Sequence, residues 1–193
     1  MIKEFNTTGS CNPAQHYMVD ISRKLAKVED FILRGKYFTI NRARQFGKTT
    51  TLKALFRNLS DRYVVISISF EIGDAIFDSV EGFCEGLGFK ISEAAGVTSE
   101  QADFWLNECK CASFEGLSAK ISAFCKSQTK PVLLLIDEVD KSTDNQLFLN
   151  FLGMLRNKYL DRDVKGMNST FHSVILAGVY DVKNLKIKLR PDE

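Results

Sequence analysis

The stretch NRARQFGKTTTL, residues 41–52, decides how the rest of the chain is interpreted. Its Gly47-Lys48-Thr49 matches the end of the pattern G-x-x-x-x-G-K-[ST], whose backbone wraps around phosphate groups. Arg42 stands where the pattern has its first glycine. That position lies at the strand exit rather than against the phosphates, so an arginine with an ordinary backbone conformation is compatible with such a loop. The alternative is a chance Gly-Lys-Thr at the start of a helix.

Each residue type at the end of this stretch fits a role in phosphate binding. Gly47 leaves room for the backbone to curl, Lys48 would place its ammonium on the β- and γ-phosphates, and Thr49 has the hydroxyl that would bind Mg²⁺. Arg42 and Arg44 either add positive charge near a bound triphosphate or are solvated surface residues, and the sequence does not decide between these two interpretations. The predicted nucleotide-binding residues are Arg42, Ala43, Arg44, Gln45, Phe46, Gly47, Lys48, Thr49 and Thr50.

Helical patterns alternate with short apolar runs along the chain. A helix beginning at Asp20 or Ser22 and ending at Gly35 precedes the first strand, and further helices are predicted after the loop, over most of 76–126 and through 148–159. Strands are predicted at 37–41, 63–70, 132–136 and 173–178, with LKIKL at 185–189 as a half-exposed edge strand. Strands separated by helices predict an α/β fold with a mainly parallel sheet covered on both faces, because parallel strands need crossover connections.

A second strand end has the chemistry that the loop lacks. The apolar run VLLLI is followed at once by Asp137 and Glu138. Asp137 fits a Walker B aspartate, which holds Mg²⁺ through its water shell, and Glu138 fits the base that orients or deprotonates an attacking water. Ligands bind beyond the carboxyl ends of parallel strands, so both strand ends are expected to face one site. The predicted cofactors are ATP and Mg²⁺, with Lys48 and Glu138 as the catalytic residues.

Composition narrows the function classes. The 26 Lys and Arg nearly balance the 24 Asp and Glu, so no global field favours nucleic acid or anionic membrane. No run of about 18 apolar residues predicts a membrane span, and the N-terminus lacks the apolar segment of a secretory signal. The five scattered cysteines predict reduced thiols in a cytoplasmic protein, and Cys109 and Cys111 lack the second pair that a zinc site needs.

Three other patterns are weaker. Asn157-Lys158 begins the guanine-reading N-K-x-D motif, but a leucine replaces the aspartate, and the segment is expected inside a helix. Arg156 and Arg162 could offer an arginine to a neighbouring subunit's phosphate, although exposed, solvated arginines are the favoured interpretation. His16 and His172 have no partner nearby in sequence and are interpreted as surface or structural histidines.

The chain resembles the AAA-ATPase-like family of bacterial P-loop proteins. The resemblance is carried by HYMVDIS, YFTINRARQFGKTTTL, VISISFE, LLIDEVDKS, FLGMLRNKYL and FHSVILAGVYDVKNLKIKLRPDE, and the arginine-bearing loop before FGKT is its most specific part. It implies a three-layer α/β/α P-loop NTPase of the additional-strand, catalytic-glutamate type. It implies the same roles for Lys48, Thr49, Asp137 and Glu138, and it leaves association with nucleic acid open.

The family resemblance also sets expectations for domains. Residues 1–193 are expected to form one ATPase-like domain in which residues 1–35 lead into the core, without the C-terminal lid and the PD-(D/E)xK nuclease-like domain of longer members. A polar sensor of the γ-phosphate is expected near Tyr180 or Asp181. The predicted function is Mg²⁺-dependent ATP hydrolysis that drives a conformational switch. A nucleotide-binding module without turnover and an ATPase regulator of nucleic-acid processing are the alternatives, and a protein partner or a second copy stays open.

Overall fold

The structure is a computed structural model, and it describes residues 3–5, 14–17, 19–41, 47–70, 74–95, 111–139 and 146–178. The predicted edge strand at 185–189 lies outside these ranges, as does Cys109. Among the described residues, no helix has the length and apolar character needed to cross a membrane.

In the described part of the chain, four parallel strands form one sheet. They are β1 (Tyr37–Asn41), β2 (Val64–Ser69), β3 (Val132–Asp137) and β4 (Ser173–Gly178), in the spatial order β1-β4-β3-β2. Strand β4 is therefore inserted between the strand before the loop and the strand that ends at Asp137. The predictions of a parallel sheet and of an additional strand are confirmed, and the four strand positions agree within one residue at each end.

The helices connect these strands and begin and end close to the predicted positions. They are α1 (Ser22–Leu33), α2 (Lys48–Leu59), α3 (Val80–Ala95), α4 (Phe114–Ser127), α5 (Gln146–Leu160) and the short α6 (Arg162–Lys165), with 3₁₀ turns at Asp74–Phe77 and Met167–Ser169. The N-cap of α1 is Ile21, which makes no side-chain cap hydrogen bond, and not Asp20 or Ser22. Asp20 lies one residue earlier, and its Oδ1 accepts a hydrogen bond from Ser22 N at 2.9 Å. Gly35, with a φ of 63°, ends the same helix as predicted.

Two apolar cores cover the two faces of the sheet. Helices α1 and α2 pack on one face, and α3, α4 and α5 pack on the other. The central strand β3 supplies both cores, since Leu133 and Leu135 belong to the first while Leu134 and Ile136 belong to the second. A strand buried on both faces has to be apolar throughout, which is why VLLLI shows no alternation. The three layers hold β1 and β3 rigidly, with their carboxyl ends at the same edge.

Arg162 corrects the interpretation made from the sequence. It is 4% exposed instead of solvated, and its guanidinium donates to His172 O at 3.0 Å and to Gly35 O at 2.9 Å. The same group lies 4.2 Å from the ring centroid of Tyr159 and 4.8 Å from that of Tyr37. Arg162 thus joins the start of β1 to the start of β4, at the edge of the sheet opposite the loop, so its guanidinium is held inside the fold and is not free to reach a neighbouring subunit.

The structure also shows where the residues of the other weak sequence patterns lie. Arg156 is exposed, as expected, and Asn157 and Lys158 lie inside the helix and not after a strand. Lys158 is buried and donates to Ser118 and Ser122 of α4, so it joins two helices. His172 is partly buried, and its Nε2 lies 2.9 Å from Ile32 O, which makes it a structural histidine. The described cysteines (Cys84, Cys111 and Cys125) are buried and form no disulfide.

Candidate nucleotide site

Gly47 joins the loop to helix α2 in a conformation that suits glycine. Its φ of 72° and ψ of 27° place it in the left-handed region, which L side chains adopt at a cost of about 1 kcal/mol. A Cβ built at this position would meet no atom within 4 Å, so the restriction comes from the backbone dihedrals and not from crowding. Gly47 O accepts two hydrogen bonds from Thr51, from its N at 2.9 Å and from its Oγ1 at 2.8 Å.

The amino end of α2 has features that favour binding of an anion. Lys48 is the first residue of the helix and Thr49 the second, and no acidic residue lies in the first turn. Helix N-termini carry a partial positive charge and N–H groups without helical partners, both of which favour phosphate. Lys48 and Thr50 are partly buried, whereas Gly47 and Thr49 are exposed. The loop residues Arg42, Ala43, Arg44, Gln45 and Phe46 lie outside the described residues, and their contacts with phosphate stay predictions.

Thr49 and Asp137 meet across the sheet edge. Thr49 Oγ1 donates a hydrogen bond to Asp137 Oδ2 at 2.7 Å, although 88 positions separate the two residues in sequence. The contact exists because α2 starts beside the carboxyl end of β3, where the last residue of the strand is Asp137. A hydroxyl and a carboxylate in contact are oxygen ligands of the kind that Mg²⁺ prefers. Their role as magnesium ligands stays a prediction.

The Asp137 carboxylate is held on both oxygens. While Oδ2 accepts from Thr49, Oδ1 accepts from Glu138 N at 2.9 Å. These two donors fix the orientation of the carboxylate plane at the end of β3.

Glu138 has a strained backbone. Its φ of 57° is the only positive value at a non-glycine residue among those described. For a side chain without a short polar group the left-handed region costs about 1 kcal/mol, and residues in such conformations concentrate at functional sites. Glu138 is partly buried, with Oε2 shielded from solvent. The strained turn therefore places a carboxylate directly after Asp137 at the carboxyl end of the central strand.

Several polar residues around this site were not singled out from the sequence. Asn41, the last residue of β1, is partly buried, and its Oδ1 is buried without a hydrogen-bond donor among the described residues. It lies opposite Gly178, the last residue of β4. The predicted sensors Tyr180 and Asp181 follow that residue and lie outside the described part of the chain. Asn41 could have been noticed because a polar residue ends a strand immediately before the loop.

Comparisons with known proteins agree with this architecture. The family model described as AAA-like domain matches residues 11–187. The fold is similar to a chain in the structure of Drosophila ORC bound to poly(dA/dT) DNA and Cdc6, with 13% identity, a TM-score of 0.47, and coverage of 89% of this chain and 26% of that one. It is also similar to the Aeropyrum pernix ORC2 protein in ADPNP-ADP complexes, with 13% identity, a TM-score of 0.49, and coverage of 86% and 42%.

The protein thus spans less than half of either structurally similar chain. No curated protein sequence matches it. The family match extends over most of the 193 residues and includes both strand ends described above. The chain therefore belongs to the AAA-like domain family of nucleotide-binding, ATPase-type modules.

Proposed function

We propose that this module binds ATP together with Mg²⁺ and hydrolyses it to ADP and phosphate. The observation that carries the proposal is the 2.7 Å hydrogen bond from Thr49 Oγ1 to Asp137 Oδ2. It brings the end of a Gly-Lys-Thr loop to the aspartate of a central strand, which is the pairing that a magnesium-bound triphosphate requires.

Phosphate binding is assigned to the loop and the start of α2. The left-handed Gly47 turns the chain into the helix, and the first turn of α2 supplies N–H groups and a partial positive charge and contains no acidic residue of its own. Lys48 adds the ammonium that the β- and γ-phosphates would contact. ATP rather than GTP fits the chain because Asn157 and Lys158 lie within α5 instead of following a strand, so the guanine-reading motif has no counterpart there.

The residues present fit a bound magnesium ion. Thr49 Oγ1 would be its protein ligand, and Asp137 would hold it through water, with the Asp137 carboxylate already oriented by Glu138 N. When bound, Mg²⁺ neutralises charge on the phosphate oxygens as the terminal phosphate leaves. Thr49 and Asp137 keep their relative position because each is fixed to a separate rigid element, α2 and β3.

Hydrolysis is assigned to Glu138. A water attacks the γ-phosphorus of ATP, the bond from that phosphorus to the β,γ-bridging oxygen breaks, and ADP leaves with the electron pair. The attacking water loses a proton, which the Glu138 carboxylate accepts. The strained backbone of Glu138 supports this role, because such conformations concentrate at functional sites and this one follows Asp137 directly at the carboxyl end of β3. In this proposal turnover resets the conformation of the module.

Glu138→Gln tests hydrolysis separately from binding. The amide keeps the size of the side chain but cannot accept the proton, so ATP affinity is expected to stay unchanged while phosphate release falls about 100-fold or more. Glu93→Gln on the exposed side of α3 is the matched control, with the same charge change away from the site. Equal phosphate release by the Glu138 variant would refute the assignment. ATP binding by the wild type without any phosphate release would instead indicate a nucleotide-binding module without turnover.

A further inference from the structure

A lysine from the N-terminal helix contacts the base of the phosphate loop. Lys24 lies on α1, is partly buried, and donates from Nζ to Thr51 Oγ1 at 3.3 Å. Thr51 lies in the first turns of α2, four residues after Gly47, and is 1% exposed. This partly buried hydrogen bond therefore joins α1 to the first turn of α2, next to the predicted nucleotide site.

Thr51 passes the contact on to Gly47. Its Oγ1 donates to Gly47 O at 2.8 Å, and its N donates to the same oxygen at 2.9 Å. A threonine hydroxyl in a helix often donates to the carbonyl four residues earlier. What differs here is that the hydroxyl also accepts from an ammonium, which directs its own hydrogen toward Gly47 O. Consecutive hydrogen bonds of this kind polarise and strengthen one another.

Gly47 is the residue whose orientation matters most for the loop. It holds the left-handed dihedrals that turn the chain into α2, and a carbonyl bound by two donors has little freedom to rotate. Since the peptide groups on either side of Gly47 share these dihedrals, fixing its carbonyl also fixes the direction of the N–H groups that begin α2. The hydrogen bonds from Lys24 through Thr51 therefore reach the carbonyl that sets the direction of the first N–H groups of α2.

We infer that Lys24 is a positioning residue for nucleotide binding, which acts through Thr51 on the phosphate loop. The inference rests on the proposed function, because it assigns a further residue to that same site. It makes α1 part of the nucleotide-binding machinery, so that the affinity for ATP depends on how α1 sits against α2. Lys24 does not touch the phosphates in this scheme. Its removal is therefore expected to change the Kd and KM for ATP and to leave kcat nearly constant.

Titration of ATP with Mg²⁺ against four single variants and one double variant tests the inference. Lys24→Met is expected to raise the Kd about tenfold, the effect of losing one charge-assisted hydrogen bond that orders the loop. Lys24→Arg keeps a charged donor and is expected to restore most of the affinity. Lys27→Met removes the same charge from an exposed position of α1 and is expected to change the Kd less than about twofold. Thr51→Val interrupts the same path at its other end, and Lys24→Met is expected to add nothing in that background.

The outcomes separate the inference from the proposed function. If the wild type binds ATP while Lys24→Met binds it equally well, or no worse than Lys27→Met, the inference fails and the proposed function stands. Additive effects of Lys24→Met and Thr51→Val would also overturn it, as would a lower melting temperature of the unliganded variant with an unchanged Kd. A wild type without ATP binding would overturn the proposed function and this inference with it.

Discussion

Replacement of Arg162 by methionine tests whether the buried guanidinium holds the amino-terminal edge of the sheet together. The substitution removes hydrogen bonds of 3.0 Å to His172 O and 2.9 Å to Gly35 O, together with the ring contacts of Tyr159 and Tyr37. Methionine keeps an unbranched apolar side chain of similar reach, so the substitution isolates the loss of the charged donors.

The magnitude follows from opposing contributions. Two carbonyls would lose a charged donor, at about 1.5–3 kcal/mol each, and the ring contacts add about 1 kcal/mol. Against this, folding of the variant no longer has to remove a guanidinium from water, since the Arg162 side chain it replaces is 4% exposed in the fold. The desolvation free energy that is avoided offsets several kcal/mol of the loss. The net expectation is a free energy of unfolding lower by about 3 kcal/mol, which corresponds to a fall of about 1 M in the urea midpoint.

Urea unfolding followed by circular dichroism measures this change. The matched control is Arg156→Met, an exposed arginine on α5, which is expected to alter the free energy of unfolding by less than about 0.5 kcal/mol. Equal midpoints for the two variants would refute the reasoning. So would a fully stable Arg162 variant that had lost phosphate release, because that result would assign Arg162 to the phosphates of a neighbouring subunit.

Two further predictions concern the metal and pH. Thr49→Val is expected to lower Mg²⁺-dependent phosphate release at least tenfold, roughly the cost of one metal ligand, while Thr49→Ser keeps the hydroxyl near Asp137 and most of the activity; equal rates for both variants would contradict this. Burial lowers the pKa of His172 below its usual 6.5, despite the opposing hydrogen bond to Ile32 O. The unfolded chain then binds the proton more readily than the folded chain, so the contribution of His172 to stability is complete above about pH 6.5 and falls as the pH drops below it. His172→Gln is expected to flatten that part of a plot of urea midpoint against pH.

Much of the fold could be predicted because its signals are local. The run VLLLI has no polar residue to place on a solvent face, and a short strand buried on both faces is the structure that accommodates it in a parallel sheet. Ligands bind beyond the carboxyl ends of parallel strands, and this rule predicted that Gly47 and Asp137 belong to one site. The structure brings Thr49 and Asp137 into contact at that edge, in agreement with the expectation that both strand ends face one site.

Other features depend on contacts that no local pattern contains. Arginine side chains are mostly exposed, so the sequence predicts a solvated Arg162. In the fold, two carbonyls and two tyrosine rings surround it. The contact of Lys24 with Thr51 depends on how α1 crosses α2, which a sequence period does not specify. The left-handed backbone of Glu138 is likewise imposed by its surroundings, since the residue itself disfavours it.

Phosphate release from ATP in the presence of Mg²⁺, compared between the wild type and Lys48→Ala, tests most directly whether the loop and the end of β3 form one catalytic site. Lys53→Ala, on the exposed side of the same helix, is the matched control. We predict that the wild type and the control release phosphate and that Lys48→Ala lowers kcat/KM at least about 100-fold with an unchanged fold. Release by Lys48→Ala at the wild-type rate, or no Mg²⁺-dependent release by the wild type, would contradict the account.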